Sequence, residues 1–388
     1  MNVLMISFER KLFEEGSAAR QRIIEYGGLF DELHVIVFSK RKLNLKPEHI
    51  APNIWLYPTN SLFNVFYPWD AYRLGRELIR KRHFEKTHTV VTAQDPFETG
   101  IAALFLAKRS KLKLQIQVHT DFLNPNFIHA SLLNQVRLHL TAYILPKADG
   151  VRVVSEKIKR SLIEQMHIFS ERITVLPIFV DARAIASFHP RVDLRKKYPQ
   201  FKFIILMPTR FTEEKNISFA LDVFRTVLNK YPFTGLVIVG EGPLEPELKR
   251  HVKMLDMDNN VMFEPWRQDI VSYFKTANLF LLTSRFEGYG LALIEAALSG
   301  CPIVTSHVGI AEELRAGIEA EICPVKDLAC FTLSILGLIE NNERRENMRL
   351  EAKHRFEKEL PTKRKYLSDF KQALDFWKIY GGRKERGE

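Results

Sequence analysis

Glu287-Gly288-Tyr289-Gly290-Leu291-Ala292-Leu293-Ile294-Glu295 is the stretch on which the reading of this chain turns. Ahead of it, Asn278-Leu279-Phe280-Leu281-Leu282-Thr283 reads as a short apolar strand. After Gly290 the apolar residues Leu291, Ile294, Ala297 and Leu298 keep helical spacing, and Gly300 stands where a helix would stop. Two glycines in the connection let the backbone turn tightly and come close to a ligand. A helix beginning there offers free N–H groups and a partial positive charge, worth about 0.3–1 kcal/mol to an adjacent anion. The turn is therefore a candidate phosphate seat. Carboxylates do not serve phosphates. Glu287, just before the seat, and Glu295, in the second helical turn, are assigned to hydroxyl groups on either side of a diphosphate. Taken singly, Glu287 reads equally as a loop charge and Glu295 as a cap or salt-bridge residue.

The stretch runs on through Ala296-Ala297-Leu298-Ser299-Gly300-Cys301-Pro302-Ile303-Val304-Thr305-Ser306 and Val308-Gly309-Ile310-Ala311-Glu312. As a whole it resembles the signature of the retaining family 4 glycosyltransferases. The resemblance implies that Glu287 contacts the donor sugar and Glu295 the ribose of the nucleotide. It also implies that Gly288, Tyr289, Gly290 and Leu291 hold the diphosphate between them. The implied fold is GT-B: α/β, two doubly wound Rossmann-like domains facing each other across a cleft.

Alternation along the chain agrees. Strand-like runs at 3–6, 33–38, 89–92, 114–118 and 151–154 are separated by helical segments, and the pattern repeats at 203–207, 236–239, 261–263, 279–282 and 303–305. Such alternation predicts parallel sheets with helices on both faces, and two rounds of it predict two doubly wound domains. Pro177, Pro190 and several charges interrupt it. The expected division is 1–185, an acceptor-side domain that the resemblance completes with a C-terminal helix over 366–380, and 186–365, a nucleotide-sugar-binding domain.

Open parallel sheets bind ligands at the carboxyl ends of their strands. The first such loop holds Gly16-Ser17, suited to a close backbone approach and a helix cap, and in the resembled family it faces the donor diphosphate. Arg20, one turn on, reads as a solvated charge or a contact to an anionic acceptor. Asp95-Pro96 reads as a helix entry. His119 ends another strand and matches a histidine that many family members place near the sugar, with Asp121 either orienting it or capping a turn. In the second half, Arg210 and Lys215 leave a strand and open a helix, where a diphosphate needs cations. In isolation they read as surface charges paired with Glu213 and Glu214, whereas the resemblance places them on the donor phosphates. Gly240-Glu241-Gly242-Pro243 is similar to a family turn whose glycines serve backbone geometry. Arg267 follows the Glu264-Pro265-Trp266 loop, which departs from the family at Pro265, and is expected at the donor. Asp256-Met257-Asp258 precedes a strand and reads as a turn, not a metal site.

Composition narrows the class. With 46% apolar and 27% charged residues among 388, the chain reads as an ordinary globular protein of two domains. It has no run of eighteen apolar residues, and its first residues read as a strand, not a signal peptide. Cys301, Cys323 and Cys330 show no metal-ligand spacing and are expected as reduced cytoplasmic thiols. The net charge of +11 is uneven: up to Pro190 there are 26 Lys and Arg against 18 Asp and Glu. Basic clusters at 73–86 and 108–113, interleaved with apolar residues, admit an anionic membrane surface or simply solvated helix faces.

The expectation is a metal-independent retaining glycosyltransferase, hexosyltransferase in type, moving a sugar from a nucleotide-diphospho-sugar to a lipid-linked or glycan acceptor. His119, Arg210, Lys215 and Glu287 would serve catalysis, with no cofactor. The protein would be cytoplasmic, peripheral to the membrane if the basic clusters dock there. Two other readings stand beside it: a catalytically silent nucleotide-sugar-binding protein, and a basic nucleic-acid-binding module. The latter has charge alone behind it, since no aromatic-interleaved basic run or zinc spacing is present, so nucleic acid is not expected as a partner.

Overall fold

The computed structural model describes residues 1–82 and 84–375. The chain forms two compact units: Met1–Pro177 together with the described residues from Lys363 onward, and Ile178–Thr362.

The first unit is built on eight strands: β1 (Asn2–Ser7), β2 (Glu32–Val37), β3 (Glu48–Ala51), β4 (Ile54–Pro58), β5 (Thr89–Ala93), β6 (Lys113–Val118), β7 (Gly150–Val153) and β8 (Ile173–Val175). They lie in the order β3-β4-β2-β1-β5-β6-β7-β8. Every neighbouring pair is parallel except β3 with β4. Val3, Leu4, Met5 and Ile6 of β1 are all buried, as expected of a strand covered on both faces. β3, β4 and β8 were not among the expected strands. β3 is half exposed, and β4 alternates buried with half-buried residues, so neither shows a continuous apolar run. The helix Lys363–Gln372 packs in this unit, where Phe370 stacks on Tyr26 with ring centroids 4.3 Å apart. The expected helix at 366–380 lies in part outside the described residues.

The second unit has six strands, all parallel: β9 (Phe203–Pro208), β10 (Thr234–Val239), β11 (Val261–Glu264), β12 (Leu279–Leu282), β13 (Ile303–Ser306) and β14 (Glu321–Cys323). Their order is β11-β10-β9-β12-β13-β14. The first three strands are laid down outward in one direction and the next three in the other. The reversal lies between β9 and β12, the switch point at which open α/β sheets take ligands in the crevice beyond their strand ends. The helix Ile217–Lys230 presents Ala220, Leu221, Phe224, Val227 and Leu228 to the sheet at helical spacing, forming much of this unit's core.

One expectation is corrected. Cys323 and Cys330 are not free thiols but joined by a disulfide, with Cα atoms 5.7 Å apart. The chain turns back after β14 through Lys326 at φ +66, and Asp327 caps the next helix, Leu328–Glu340. That fold-back brings the first turn of the helix against the strand end, a proximity invisible in the spacing. Cys301 is free and buried.

Candidate active site

Both loops at the reversal of the second sheet carry residues singled out in the sequence. The loop after β9 runs from Thr209 to Asn216, and the loop after β12 from Thr283 to Gly290. The first is shaped from below by the Gly240-Glu241-Gly242 turn. Phe211 N–H donates to the Glu241 carbonyl at 2.9 Å. A Cβ at Gly240 would lie 1.8 Å from the Thr209 carbonyl oxygen, and one at Gly242 2.4 Å from that of Phe211. Only glycine permits that approach, so these two residues serve backbone geometry.

Lys215 and Glu287 meet across the reversal. The ammonium lies 2.6 Å from Glu287 Oε1, and both side chains are largely shielded from water. The Ser284 hydroxyl donates to the same oxygen at 2.7 Å. Both contacts fall on Oε1, and Oε2 has no hydrogen-bond or ion-pair partner among the described residues. Thr283 Oγ1 donates to the carbonyls of Lys215 and Asn216 at 3.1 and 3.2 Å, stitching the two loops together. Arg210 is less confined. Its side chain is 71% exposed and rests 3.3 Å from Glu214 Oε1, a partner within its own loop. Asn216 holds φ +54, and its buried amide nitrogen has no hydrogen-bond partner among the described residues.

The helix Leu291–Leu298 starts where expected. Gly290 stands at its N-cap with φ +97 and supplies no side-chain cap; the Leu293 N–H donates to the Gly290 carbonyl at 3.0 Å, which leaves the N–H groups of Leu291 and Ala292 without a partner among the described residues. The Tyr289 side chain is buried. The turn is braced from the short helical turn Gly309–Glu313 that follows β13. Ile310 N–H donates to the Tyr289 carbonyl at 2.8 Å, and Gly309, at φ +56, lies so close that a Cβ would meet that carbonyl at 2.6 Å. Glu295 has neither a hydrogen-bond nor an ion-pair partner among the described residues. Burial alone raises its carboxyl to about 7.

Arg267 sits elsewhere. It follows β11, the edge strand two places from β9, and lies 3.4 Å from Glu264 Oε2. Burial opposes the charge on Glu264, but hydrogen bonds from Lys197, Tyr198 and Tyr273, each 2.6 Å long, outweigh it and hold the carboxyl below its ordinary value.

In the first unit, Gly16 holds φ +76 in the loop after β1, followed by Ser17, whose hydroxyl accepts from Arg20 N–H and caps the helix Ala18–Gly27. Arg20 pairs with Glu48 at 2.9 Å. His119 follows β6, and Asp121 does not orient it, because that carboxylate pairs with Lys157 at 3.2 Å. Gln117 orients it instead. Its Oε1 lies 3.0 Å from Arg152 Nη1 and 3.2 Å from His119 Nε2. A guanidinium only donates, so the atom facing Arg152 must be the amide oxygen. The same oxygen faces Nε2, which therefore carries the hydrogen and leaves Nδ1 as an acceptor. Burial, reinforced by the charges of Arg152 and Arg22, lowers the imidazole to about 3, so it is neutral. Arg152 is itself buried and donates to uncharged oxygens of Gln117, Leu176, Pro177 and Tyr366. Sequence reasoning missed Gln117, Arg152 and Ser284. Gln115 and Gln117 alternating with apolar residues in a buried strand were a legible signal for the first.

Known proteins place the fold. Residues 192–355 match the Glycosyl transferases group 1 family and residues 30–184 match Glycosyltransferase Family 4. N-acetyl-alpha-D-glucosaminyl L-malate synthase of Bacillus anthracis is 23% identical over 81% of this chain and 82% of its own. Alpha-monoglucosyldiacylglycerol synthase of Streptococcus pneumoniae is 26% identical over 61% of this chain and 55% of its own. Among solved structures, HepE of Anabaena in complex with UDP-glucose superposes with a TM-score of 0.75 at 17% identity, over 98% of this chain and all of that one. Two Rossmann-like units of this kind are the GT-B fold of glycosyltransferases. The chain belongs to glycosyltransferase family 4.

Proposed function

We propose that the protein is a retaining glycosyltransferase that transfers a sugar from a nucleotide-diphospho-sugar to a lipid-linked or glycan acceptor, without a metal, at the cytoplasmic face of a membrane. The observation that carries the reading is the meeting of Lys215, Glu287 and an uncapped helix start at the reversal of the second sheet. The diphosphate sits at the N–H groups following Gly290, with Leu291 and the Gly288 and Tyr289 backbone beside it. Lys215, which keeps two N–H donors beyond the one on Glu287, and the exposed Arg210 meet its oxygens. Glu287 accepts from sugar hydroxyls through Oε2, and Glu295 from the ribose. On the family likeness, Arg267, His119 and Gly16 are also assigned to the donor. His119, neutral with Nδ1 open, accepts from a sugar hydroxyl.

In the reaction, the bond between the anomeric carbon and the diphosphate oxygen breaks with its electron pair going to the diphosphate. The acceptor hydroxyl attacks the same face, and its proton passes to the departing phosphate oxygen. Charge grows on the diphosphate, and fixed cations and N–H groups aimed there lower the barrier. Two relatives support a lipid acceptor: one is an alpha-monoglucosyldiacylglycerol synthase, and the other a galactosyltransferase of GlcNAc-diphosphoundecaprenol. The test is a screen of nucleotide sugars for hydrolysis and transfer, with the product anomer read by NMR. An α-linked product from an α-donor, formed undiminished in EDTA, is expected. An inverted product or a chelator-sensitive rate overturns the corresponding part. A protein that binds UDP or GDP yet turns over no nucleotide sugar would instead be a silent binder.

A further inference from the structure

Between the helices Tyr67–Arg82 and Glu98–Ser110 of the first unit runs a groove of about 740 Å³. Its origin is local. Gly75 faces Leu106, where a Cβ would lie 2.4 Å from the Leu106 side chain, so the helices close tightly there. Trp69, Tyr72, Ile101 and Phe105 line the groove beside that contact. The rim is basic: Arg76 on one side, Lys108, Arg109 and Lys111 on the other.

Just before the first helix the chain has no charged residue from 59 to 69. The short turn Asn64–Phe66 pushes its apolar side chains into solvent, with Phe63 65% and Val65 76% exposed, and Trp69 60% exposed at the groove mouth. The apolar residues of the neighbouring basic cluster behave otherwise. Leu78 and Phe84 are buried, Lys81 pairs with Glu77, and Arg82 stacks over Trp55. The usable apolar surface is thus the 62–69 ridge and the groove.

We propose that this ridge and groove seat the protein on an anionic phospholipid bilayer. Phe63, Val65 and Trp69 enter the acyl region, and the basic rim meets the phosphate headgroups. Contiguous apolar surface bordered by cations is what such a leaflet selects. The inference deepens the proposed function, on which it rests for the reason a lipid acceptor is sought.

The experiment is co-sedimentation of the full chain with vesicles of phosphatidylcholine, with and without phosphatidylglycerol. Binding is expected only with phosphatidylglycerol, and it should weaken as salt rises from ~0.1 to ~1 M and the screening length falls from about 10 to about 3 Å. Lys108→Ser with Arg109→Ser should weaken it about thirtyfold, at about fivefold per basic residue. Phe63→Ser with Trp69→Ser should abolish it and remove the lipid-induced blue shift of tryptophan emission. UDP-induced thermal stabilisation, retained in every variant, certifies that they fold. Equal binding to neutral vesicles, or undiminished binding by Phe63→Ser with Trp69→Ser, overturns the inference. Vesicle binding by a protein that turns over no nucleotide sugar would leave it standing while the proposed function fell.

Discussion

Lys215 Nζ lies 2.6 Å from Glu287 Oε1, joining two loops 72 residues apart in the chain. The two residues hold different parts of the proposed donor but are held by each other. Lys215→Ala should reduce turnover ~10²–10³-fold, the usual cost of a lost transition-state charge contact. Glu287→Gln should spare UDP affinity and impair transfer. Because the pair is shielded, each single change leaves a charge without its partner, and the double variant should be less destabilised than the sum of the two. Chemical denaturation of the four proteins measures that coupling, and strict additivity would remove it.

Glu295 should make the protein sensitive to pH. Its carboxyl titrates near 7 in the folded chain against 4.5 ordinarily. Between those values the folded state keeps a proton that the unfolded chain has released, so stability should fall as pH rises through the window and level off above it. Ribose hydroxyls donate to the ionised form, so UDP affinity should change the opposite way, dropping about tenfold per unit below pH 7. Calorimetric titration between pH 5.5 and 8.5 checks both trends, and Glu295→Gln should flatten them. A wild-type affinity that ignores pH would sink the ribose assignment.

His119 should be a neutral Nε2–H tautomer across the working range, visible in the ¹⁵N shifts of its ring. Gln117→Leu should free the ring to exchange tautomers, and Arg152→Met should raise its pKa toward the ordinary value, since one of the charges depressing it is gone. An imidazolium signal near pH 6 in the unaltered protein would contradict the arrangement.

Gly309→Ala should weaken donor binding without touching the donor. The added Cβ would press on the Tyr289 carbonyl and on Glu287 Cβ, 2.6 and 3.0 Å away, at a φ that alanine disfavours. The turn before Gly290 must give. An increase in KM with a modest loss of thermal stability is expected, and an unchanged KM would show that the turn tolerates displacement.

Much of this was readable before any coordinates. Buried parallel strands announce themselves as apolar runs, so β9 to β13 were found, and with them the loops carrying Arg210, Lys215 and Glu287. β14 was missed because it has only three residues. Asp121 was a fair candidate to orient His119 by proximity in sequence. Yet the residue that does so, Gln117, lies on the same strand two positions back, where the period of a strand returns a side chain to the same face. Arg152 belongs to the adjacent strand β7 and reaches Gln117 only through sheet pairing, a relation no local pattern encodes. The Cys323–Cys330 bond likewise depends on a chain reversal that the spacing does not report.

The strand order of the second unit also bears on assembly. Lys215 follows the first strand of its sheet and Glu287 the fourth, and β10 and β11 are laid down in between without entering the crevice. Nothing local favours their encounter; the loop-closure entropy of the intervening chain must be met before the contact forms. On the proposed function, nucleotide binding would thus report a largely assembled sheet rather than the presence of a motif. A ribosome-bound chain that has not yet exposed β12 should be blind to UDP, and it should gain the ligand abruptly once that strand and the helix Leu291–Leu298 that follows it are in place beside β9.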